Sequence, residues 1–384
     1  MLTLVVLLTV TAILEHSFAP SGVDVNRDRI VEVKSFVVSG KDSVMIGGLG
    51  YQLISSKLGS LKKAEKVSVV SQTMPVAAYQ DDRVEKLNLV YTDAAFWEIY
   101  YYQLREGRYF QSDEVEQGRF VTVINLVIAR KLFGEQPALG KNVNVRGTQY
   151  AVIGVVDDGQ KGSGNPQIWV PHSTSPSSED KNKLYGVYSA VFMAKKSDDM
   201  NALKKEIVDV GRSVQIGDPK RWTKTLLLAN TQLDAFARGF SRDAYSEDSG
   251  AEQVLAWVMV LMFLFMLLPA LNLVNLNVGR MMERGSEIGV RKTFGATTMD
   301  LVKQFLVENI VLSLVGCAIA LLMTQGLLMW INQTGFLPSL NLSINFQIFA
   351  YGMLITLVFG IVSGVVPAWR MARLDPVFAL KGNV

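Results

Sequence analysis

Long apolar runs alternate with polar segments along this chain, and the three longest runs lie in its last third. Residues 254–278 contain no charged side chain, residues 305–331 contain only Glu308, and residues 346–369 contain none. A membrane-spanning helix needs about 20 mainly apolar residues, and uninterrupted runs of this length are rare in soluble cores. The pattern therefore predicts three complete membrane helices.

The start of the chain is also apolar, but residues 1–14 would extend only about 20 Å as a helix. They have neither the basic start nor the small-residue cleavage site of a secretory signal peptide. We interpret them as the outer part of a first membrane helix that is truncated in this sequence. An atypical export signal is the alternative.

Lysine and arginine residues indicate the orientation of these helices. Residues 279–304 contain five of them and residues 370–384 contain three, whereas residues 332–345 contain none. Because short cytoplasmic loops are enriched in Lys and Arg, the first two segments are predicted to be cytoplasmic and the third to be outside. Residues 15–253 then form one large extracytoplasmic domain between the first and second helices.

This large polar segment mixes the two-residue period of strands with the 3.6-residue period of helices. Predicted strands are 119–124, 142–146, 150–156, 187–194 and 223–229, and predicted helices are 93–104, 126–133, 198–211 and 231–245. Asp93 and Asp198 are the expected N-caps of two of the helices. The predicted fold class is an α/β extracytoplasmic domain inserted between the first and second of four transmembrane α-helices.

Composition narrows the range of functions. The first 253 residues contain thirty basic and thirty acidic side chains. Such a neutral domain argues against nucleic-acid binding, which usually needs a basic face. The single cysteine, Cys317, and the two separated histidines, His16 and His172, match no ligand or nucleophile motif. We therefore expect no catalytic, cofactor or metal site, and no enzyme activity, in this chain.

A dense block of mixed charge, residues 280–297, lies between the second and third apolar runs. Arg280 and Arg284, Glu283 and Glu287, and Glu287 and Arg291 are each four residues apart, as neighbours on one helix face are. The spacing predicts a short charged helix along the cytoplasmic face of the membrane.

Glycines and capping patterns mark the ends of these predicted helices. Gly285 and Gly295 predict breaks in the charged block, and residues 297–300 predict a capping box that opens the next helix. A second capping box at residues 249–252 would start the second membrane helix outside the bilayer, as a stalk. On composition alone, the block is compatible both with a solvated loop and with a docking element for a soluble partner.

The block also resembles a family signature. E-R-G-S-E-I-G-V-R-K-T-F-G-A, residues 283–296, is similar to the pattern E-R-x-x-E-I-G-[IV]-R-[KR]-[AT]-x-G-A of MacB/FtsX-type ABC transporter permeases. The closing stretch P-A-W-R-M-A-R-L-D-P-V-F-A-L, residues 367–380, resembles the family's closing pattern, which ends in P-x-x-A-L. Residues 92–110 and 138–158 look like recurring phrases of the MacB-type extracytoplasmic domain. Unlike MacB itself, the chain contains no Walker A sequence and thus no fused ATPase domain.

The resemblance implies a multi-pass protein of the inner (cytoplasmic) membrane with its large domain on the periplasmic side. It implies work with a separate ABC ATPase subunit, which binds the ATP, as a homodimer or as a heterodimer with a related permease. A periplasmic adaptor and an outer-membrane channel are further implied partners. The residues that would dock in the ATPase groove are Glu283, Arg284, Glu287, Ile288, Gly289, Arg291, Lys292 and Gly295.

Two functions are compatible with this resemblance. The first is export of a peptide, drug or lipid-linked molecule from the periplasmic side. The alternative is a non-transporting mechanotransmitter that regulates an external partner such as a cell-wall hydrolase. Within the membrane, Asn272 and Asn275 either hydrogen-bond across a dimer interface or satisfy the backbone around Pro269.

Overall fold

The computed structural model divides the chain into two compact units. The α/β unit is Phe18–Ala251, and the helical unit combines Met1–Ser17 with Glu252–Val384. The structure describes residues 2–20, 22–80, 83–157, 165–175, 183–283, 287, 290, 291, 293–334, 342 and 344–372.

The described part of the α/β unit contains a 13-stranded sheet flanked by short helices. The strands are β1 Ile30–Gly40, β2 Val44–Leu49, β3 Ala64–Ser71, β4 Met74–Gln80, β5 Arg83–Thr92, β6 Gln103–Gly107, β7 Val121–Asn125, β8 Asn142–Val145, β9 Thr148–Asp157, β10 Ile168–Pro171, β11 Tyr185–Gly186, β12 Tyr188–Ala194 and β13 Trp222–Asn230. The helices are α2 Tyr51–Leu53, α3 Phe96–Ile99, α4 Ser112–Glu116, α5 Leu126–Phe133, α6 Met200–Ser213 and α7 Gln232–Arg238. Short helical turns are Arg27–Arg29, Ile54–Leu58, His172–Thr174 and Ser197–Asp199.

Six strands of the sheet pair in a closed cycle, β10–β7–β9–β8–β4–β5, because β5 also pairs in parallel with β10. Helix α5 covers this half and buries Ile128 and Leu132. It begins where the sequence predicts, since the Asn125 side chain accepts a hydrogen bond from the Ile128 N–H at 2.9 Å. It ends at Gly134, whose φ of +66° is a conformation that glycine adopts without strain.

The other half of the sheet places β1 between the antiparallel strands β12 and β13. Helix α6 packs on this half so closely that a Cβ on Gly211 would lie 2.7 Å from the Leu227 backbone nitrogen. The buried Thr225 hydroxyl lies 2.7 Å from the carbonyl oxygens of both Gly211 and Val214, which joins the end of α6 to β13. Glycine at position 211 is therefore what permits this contact between helix and sheet.

A cluster of aromatic rings lies in the core of the α/β unit. Trp97 lies 4.6 Å from Tyr109 in a stacked pair and 5.7 Å from Trp169 in an edge-to-face pair. Tyr102 lies 4.9 Å from Trp169, and Phe110 is 5.5 Å from Trp97. The aromatic residues around Trp97 therefore form part of the core of the α/β unit.

The helix predicted over residues 93–104 is wrong in extent. Only Phe96–Ile99 is helical, because Gln103–Gly107 pairs with β9 as an added strand. The N-cap of this helix is Ala95 rather than Asp93, although the Asp93 carboxylate accepts a hydrogen bond from the Phe96 N–H at 3.2 Å. The same carboxylate accepts a second one from the Val69 N–H at 2.8 Å. A long-range strand partner has therefore overridden the local helical pattern.

Two further predicted boundaries differ from the structure. The N-cap of α6 is Asp199 rather than Asp198, and its carboxylate pairs with the Lys63 ammonium at 2.6 Å instead of capping the helix. Helix α7 ends at Arg238 rather than at residue 245. Strands β1 to β5, β10 and β11 were not predicted, whereas β7, β8, β9, β12 and β13 lie where the sequence places them.

The helical unit consists, in its described residues, of long helices: α1 Leu2–Phe18, α8 Ala251–Glu283, α9 Thr298–Thr334 and α10 Phe346–Ala372. The last residue of α1, Phe18, and the first residue of α8, Ala251, belong to the α/β unit. The first turns of α1 bury Leu4 and Leu8 in a cluster with Cys317 and Ala320 of α9. Phe349 of α10 packs against the same cluster. Apolar side chains thus join α1, α9 and α10.

Among the described residues, one helix, Met299–Thr334, is both long and apolar enough to cross a membrane. Shorter apolar stretches are Leu2–Glu15, Ala251–Phe265 and Phe346–Val358. The membrane-spanning role of α1, α8 and α10 stays a prediction from the sequence.

Candidate coupling segment and domain junction

The charged block of residues 280–297 overlaps the last residues of α8 and leads to the start of α9; it is hereafter called the coupling segment. Residues 287, 290, 291 and 293 are helical. The Arg291 guanidinium donates to the Glu287 carboxylate at 2.5 Å, one turn earlier, and to the Gln304 side-chain oxygen on α9 at 2.5 Å. An exposed ion pair of this kind contributes little to stability, but the two contacts orient the segment against α9.

The helical part of the coupling segment ends at a glycine corner. Gly295 has a φ of +96°, and the Ala296 N–H donates to the Arg291 carbonyl oxygen at 3.0 Å. The Phe294 N–H donates to the Val290 carbonyl oxygen at 3.2 Å. This is the bond pattern of a helix that terminates through a left-handed residue, for which glycine is preferred. The break that the sequence predicts at Gly295 is confirmed.

The start of α9 is capped as the sequence predicts. The Asp300 N–H donates to the Thr297 hydroxyl at 3.3 Å, and the Thr297 N–H donates back to the Asp300 carboxylate at 3.1 Å. Together with Gly295, this capping box defines a sharp turn between the coupling segment and α9.

Two apolar side chains on the coupling segment are exposed. Phe294 is 88% exposed and Val290 is 45% exposed. They are four residues apart and so lie on neighbouring turns of one helix face. Neither residue is among the docking residues that the family resemblance implies, although their four-residue spacing can be read from the sequence.

The remaining site predictions divide between described and undescribed residues. Glu283 and Glu287 are exposed, as is Asn275 on α8. Arg284, Ile288, Gly289 and Lys292 lie outside the described residues, as do Gly285 and the side chain of Asn272. The roles assigned to all these residues stay predictions.

A second polar site, which the sequence did not reveal, lies at the junction where the α/β unit leads into α8. Its centre is Asp234 on α7, which is 3% exposed. The Asp234 carboxylate accepts hydrogen bonds from the Lys204 ammonium at 2.7 Å, the Thr231 N–H at 2.7 Å and the Ser249 hydroxyl at 2.5 Å. It thus connects α6, α7 and the segment just before α8.

The predicted capping box at residues 249–252 is replaced by this contact. The Ser249 hydroxyl donates to Asp234 and accepts a hydrogen bond from the Ala251 N–H at 3.3 Å, rather than from the N–H of Glu252. The real capping box of this region is Thr231 with Asp234, at the start of α7. The pattern Thr-x-x-Asp at residues 231–234 was a readable signal for it.

Arg238 also holds residues 241–250, which join α7 to α8 and are called the connecting segment below. It is 8% exposed, and its guanidinium donates to the carbonyl oxygens of Ala244 at 3.0 Å, Ser246 at 2.7 Å and Glu247 at 3.4 Å. Its Nε–H donates to the Asn230 side-chain oxygen at 2.7 Å. The planar guanidinium, with five N–H donors, is suited to holding several carbonyls at once. We name Asp234, Arg238 and their partners the junction network.

Acid should weaken the junction network. Burial by itself would raise the pKa of Asp234, but hydrogen bonds from Lys204, Ser249 and Thr231 hold it below the ordinary value. A carboxylate with a depressed folded-state pKa contributes stability above its unfolded pKa, and that contribution is lost as the pH falls through the folded-state pKa. We therefore expect proteolysis of the 241–250 segment to accelerate from about pH 4 downward. An acid profile that is the same in Asp234→Asn would contradict this assignment.

Comparison with known proteins identifies the family. A model of the MacB-like periplasmic core domain matches residues 2–210, more than half of the chain, and a model of the FtsX-like permease C-terminal region matches residues 259–376. The chain belongs to the MacB/FtsX-type ABC transporter permeases. Members of this family are inner-membrane proteins with a periplasmic domain, which agrees with the predicted localisation and with the α/β fold.

Two relatives illustrate the range of the family. The permease is 26% identical over 280 residues to the macrolide export ATP-binding/permease protein MacB of Bdellovibrio bacteriovorus, covering 72% of this chain and 41% of that protein. It is 24% identical over 317 residues to the uncharacterized ABC transporter permease YknZ of Bacillus subtilis, covering 82% of this chain and 74% of that one. The chain thus spans 41% of the length of that MacB relative.

Solved structures include the extracellular domain of the noncanonic ABC-type transporter YknZ from Gram-positive bacteria. It aligns with a TM-score of 0.38 and 16% identity over 51% of this chain and 99% of that domain.

Proposed function

We propose that this permease couples ATP hydrolysis by a separate ATPase subunit to movement of its α/β unit, and thereby exports a peptide, drug or lipid-linked molecule from the periplasmic side. The observation that carries the proposal is the geometry of the coupling segment. Its described residues 287, 290, 291 and 293 are helical, Gly295 ends this helical part, Arg291 bonds to Gln304 on α9, and two apolar side chains are exposed.

The exposed side chains suit a protein-binding surface. Phe294 and Val290 offer apolar area that a partner groove would remove from water. Apolar and aromatic anchors of this kind supply most of the affinity at protein interfaces. The surrounding charges, Glu283, Glu287 and Arg291, would set orientation and association rate more than affinity. An ATPase groove of matching shape and opposite charge is the partner that we propose.

Energy would then pass through the membrane helices to the α/β unit. Helix α8 is continuous over 33 residues from Ala251 to Glu283, and it joins the connecting segment that the junction network holds. A rigid connection at this point would transmit a movement of α8 rather than absorb it in a loose loop. A second permease copy or a related permease, a periplasmic adaptor and an outer-membrane channel are the further partners proposed.

We expect Glu287→Lys and Phe294→Asp to reduce the amount of ATPase that co-purifies with the tagged permease by about tenfold or more. Phe294→Asp removes an apolar anchor, whose loss costs about 2 kcal/mol or more, and Glu287→Lys places a repelling charge against the proposed groove. The measurement is the ratio of ATPase to permease recovered from membranes that express both proteins. Both side chains are exposed, so folding and membrane insertion should be preserved.

The matched control is Asp113→Lys, a charge reversal at an exposed position of the α/β unit. It should leave the recovered ATPase unchanged. Recovery of equal ATPase with Glu287→Lys, Phe294→Asp and the control would overturn the docking role. ATPase binding that persists without substrate export in reconstituted vesicles would instead favour the mechanotransmitter.

A further inference from the structure

Helix α7 has an unusual distribution of side chains. It buries its charged residues, with Asp234 at 3% and Arg238 at 8% exposure. Its phenylalanines face outward, with Phe236 at 43% and Phe240, two residues beyond the helix end, at 70% exposure. A surface helix normally shows the opposite arrangement. An exposed apolar patch on an otherwise polar unit indicates that the patch contacts another apolar phase.

The patch is continuous with the end of α1. Phe18 is the last residue of α1, and its ring meets the Phe236 ring edge-on at 5.5 Å. The Phe236 ring in turn lies 5.1 Å from the Phe240 ring. We call Phe18, Phe236 and Phe240 the aromatic patch. The patch thus includes the end of a helix whose first thirteen residues, Leu2 to Leu14, carry no charged side chain.

The length of α1 places this end near a lipid–water boundary. Seventeen residues extend roughly 25 Å, close to the hydrocarbon thickness of about 30 Å. The polar residues Glu15 and His16 occupy the last turn before Phe18, which suits the headgroup region. If α1 is embedded, Phe18 therefore lies at the interface, and Phe236 and Phe240 lie beside it.

The second connection to the membrane helices meets α7 as well. Asp234 accepts a hydrogen bond from Ser249, and Arg238 holds Ser246, both a few residues before α8 begins at Ala251. Helix α7 therefore contacts the chain at both points where it leaves the α/β unit. Both covalent links from the α/β unit to the long helices therefore begin beside α7.

We infer that the aromatic patch is a membrane-contact surface that inserts into the headgroup–acyl boundary of the outer leaflet. Aromatic side chains on a short helix are favoured at this boundary, where their rings leave water without entering the bilayer core. Arg242, an exposed cation two residues after Phe240, is suited to a lipid phosphate. The contact would give the α/β unit a support on the lipid surface, in addition to its covalent links to the helices.

A label on the full-length permease tests this inference. The chain has a single cysteine, so Cys317→Ala provides a cysteine-free background. In that background, Phe240→Cys carries the environment-sensitive dye NBD, and the protein is reconstituted into phosphatidylcholine vesicles with and without a headgroup-nitroxide lipid. The control is Phe120→Cys, a phenylalanine with 52% exposure on the six-strand half of the sheet.

We expect a blue-shifted emission at position 240 and loss of on the order of half of its fluorescence to the nitroxide lipid, because the dye would lie at headgroup depth. Position 120 should show water-like emission and little quenching. Equal quenching at the two positions would overturn the inference. So would a blue shift at position 240 without quenching, since that result would place the patch against protein, such as a second copy, rather than lipid.

Discussion

Arg238→Ala should lower the free energy of opening of the connecting segment, residues 241–250, by about 2–4 kcal/mol. The substitution removes the donors from three backbone carbonyl oxygens and one amide oxygen at a site that is 8% exposed. Each buried acceptor left without a partner costs about 1–3 kcal/mol, although water that enters the opened site would recover part of this cost.

Limited proteolysis measures the effect in the full-length protein. A glutamate-specific protease can cleave at Glu247, an exposed residue in the segment that Arg238 fastens. When opening is fast, the cleavage rate follows the open population, so we expect cleavage to accelerate by about 30- to 700-fold. The matched control is Arg242→Ala, an exposed arginine four residues further on, for which we expect no change beyond about twofold. Equal rates in the two variants would show that Arg238 does not hold the segment.

The Arg238→Ala variant also tests whether the connecting segment transmits a movement of α8 to the α/β unit, as the proposed function requires. Because Arg238 is far along the chain from the coupling segment, Arg238→Ala should still recover the ATPase. Substrate movement should nevertheless fall, since a loose connecting segment would absorb the displacement of α8. Loss of the co-purified ATPase would instead indicate general misfolding. Arg238→Lys keeps the charge, so it should then restore the amount of ATPase recovered, although it cannot make the full set of hydrogen bonds.

Trp169→Ala should destabilise the α/β unit by about 3–5 kcal/mol, the range found when a large buried aromatic side chain is removed. Trp169 is fully buried, and its ring contacts those of Trp97 and Tyr102. The cavity would open at the centre of the aromatic cluster, where the neighbouring rings have little freedom to collapse into it. Hydrogen exchange of the buried strand Val121–Asn125 in the full-length protein reports this loss.

Two companion variants make the result specific. In the described part of the chain, the Trp169 Nε1–H has no hydrogen-bond partner, so Trp169→Phe loses ring volume but no hydrogen bond and should cost much less than alanine. Tyr101→Ala, at a 64%-exposed position in the same aromatic stretch, should change stability by less than about 0.5 kcal/mol. An alanine variant at position 169 with the exchange rates of Tyr101→Ala would refute the central role of the cluster.

Several features could be predicted from short stretches of sequence. Helix α5 runs from Leu126 to Phe133 because its N-cap, Asn125, and the glycine after its end, Gly134, act within one or two turns. The capping box of Thr297 and Asp300 and the corner at Gly295 are local in the same way. The apolar runs likewise mark the long helices, since their composition alone suits a membrane.

Other features, among them the hydrogen bonds of the junction network, depend on residues far apart in the chain. The Ser249 hydroxyl was expected to cap α8 and instead bonds to Asp234, fifteen residues earlier. Likewise, residues 103–107 form a strand because β9 lies beside them, not because of their own pattern.

By itself, the sequence of this permease determined where the long helices run, how α9 is capped and which family the chain resembles. Only the tertiary structure decided that α7 buries Asp234 and Arg238 and leaves Phe236 exposed. The physical reason is that a buried charge is stable only where distant chain segments supply its partners. Periodicity in sequence records which side chains are apolar, but not which of the polar ones will find such partners in the folded chain.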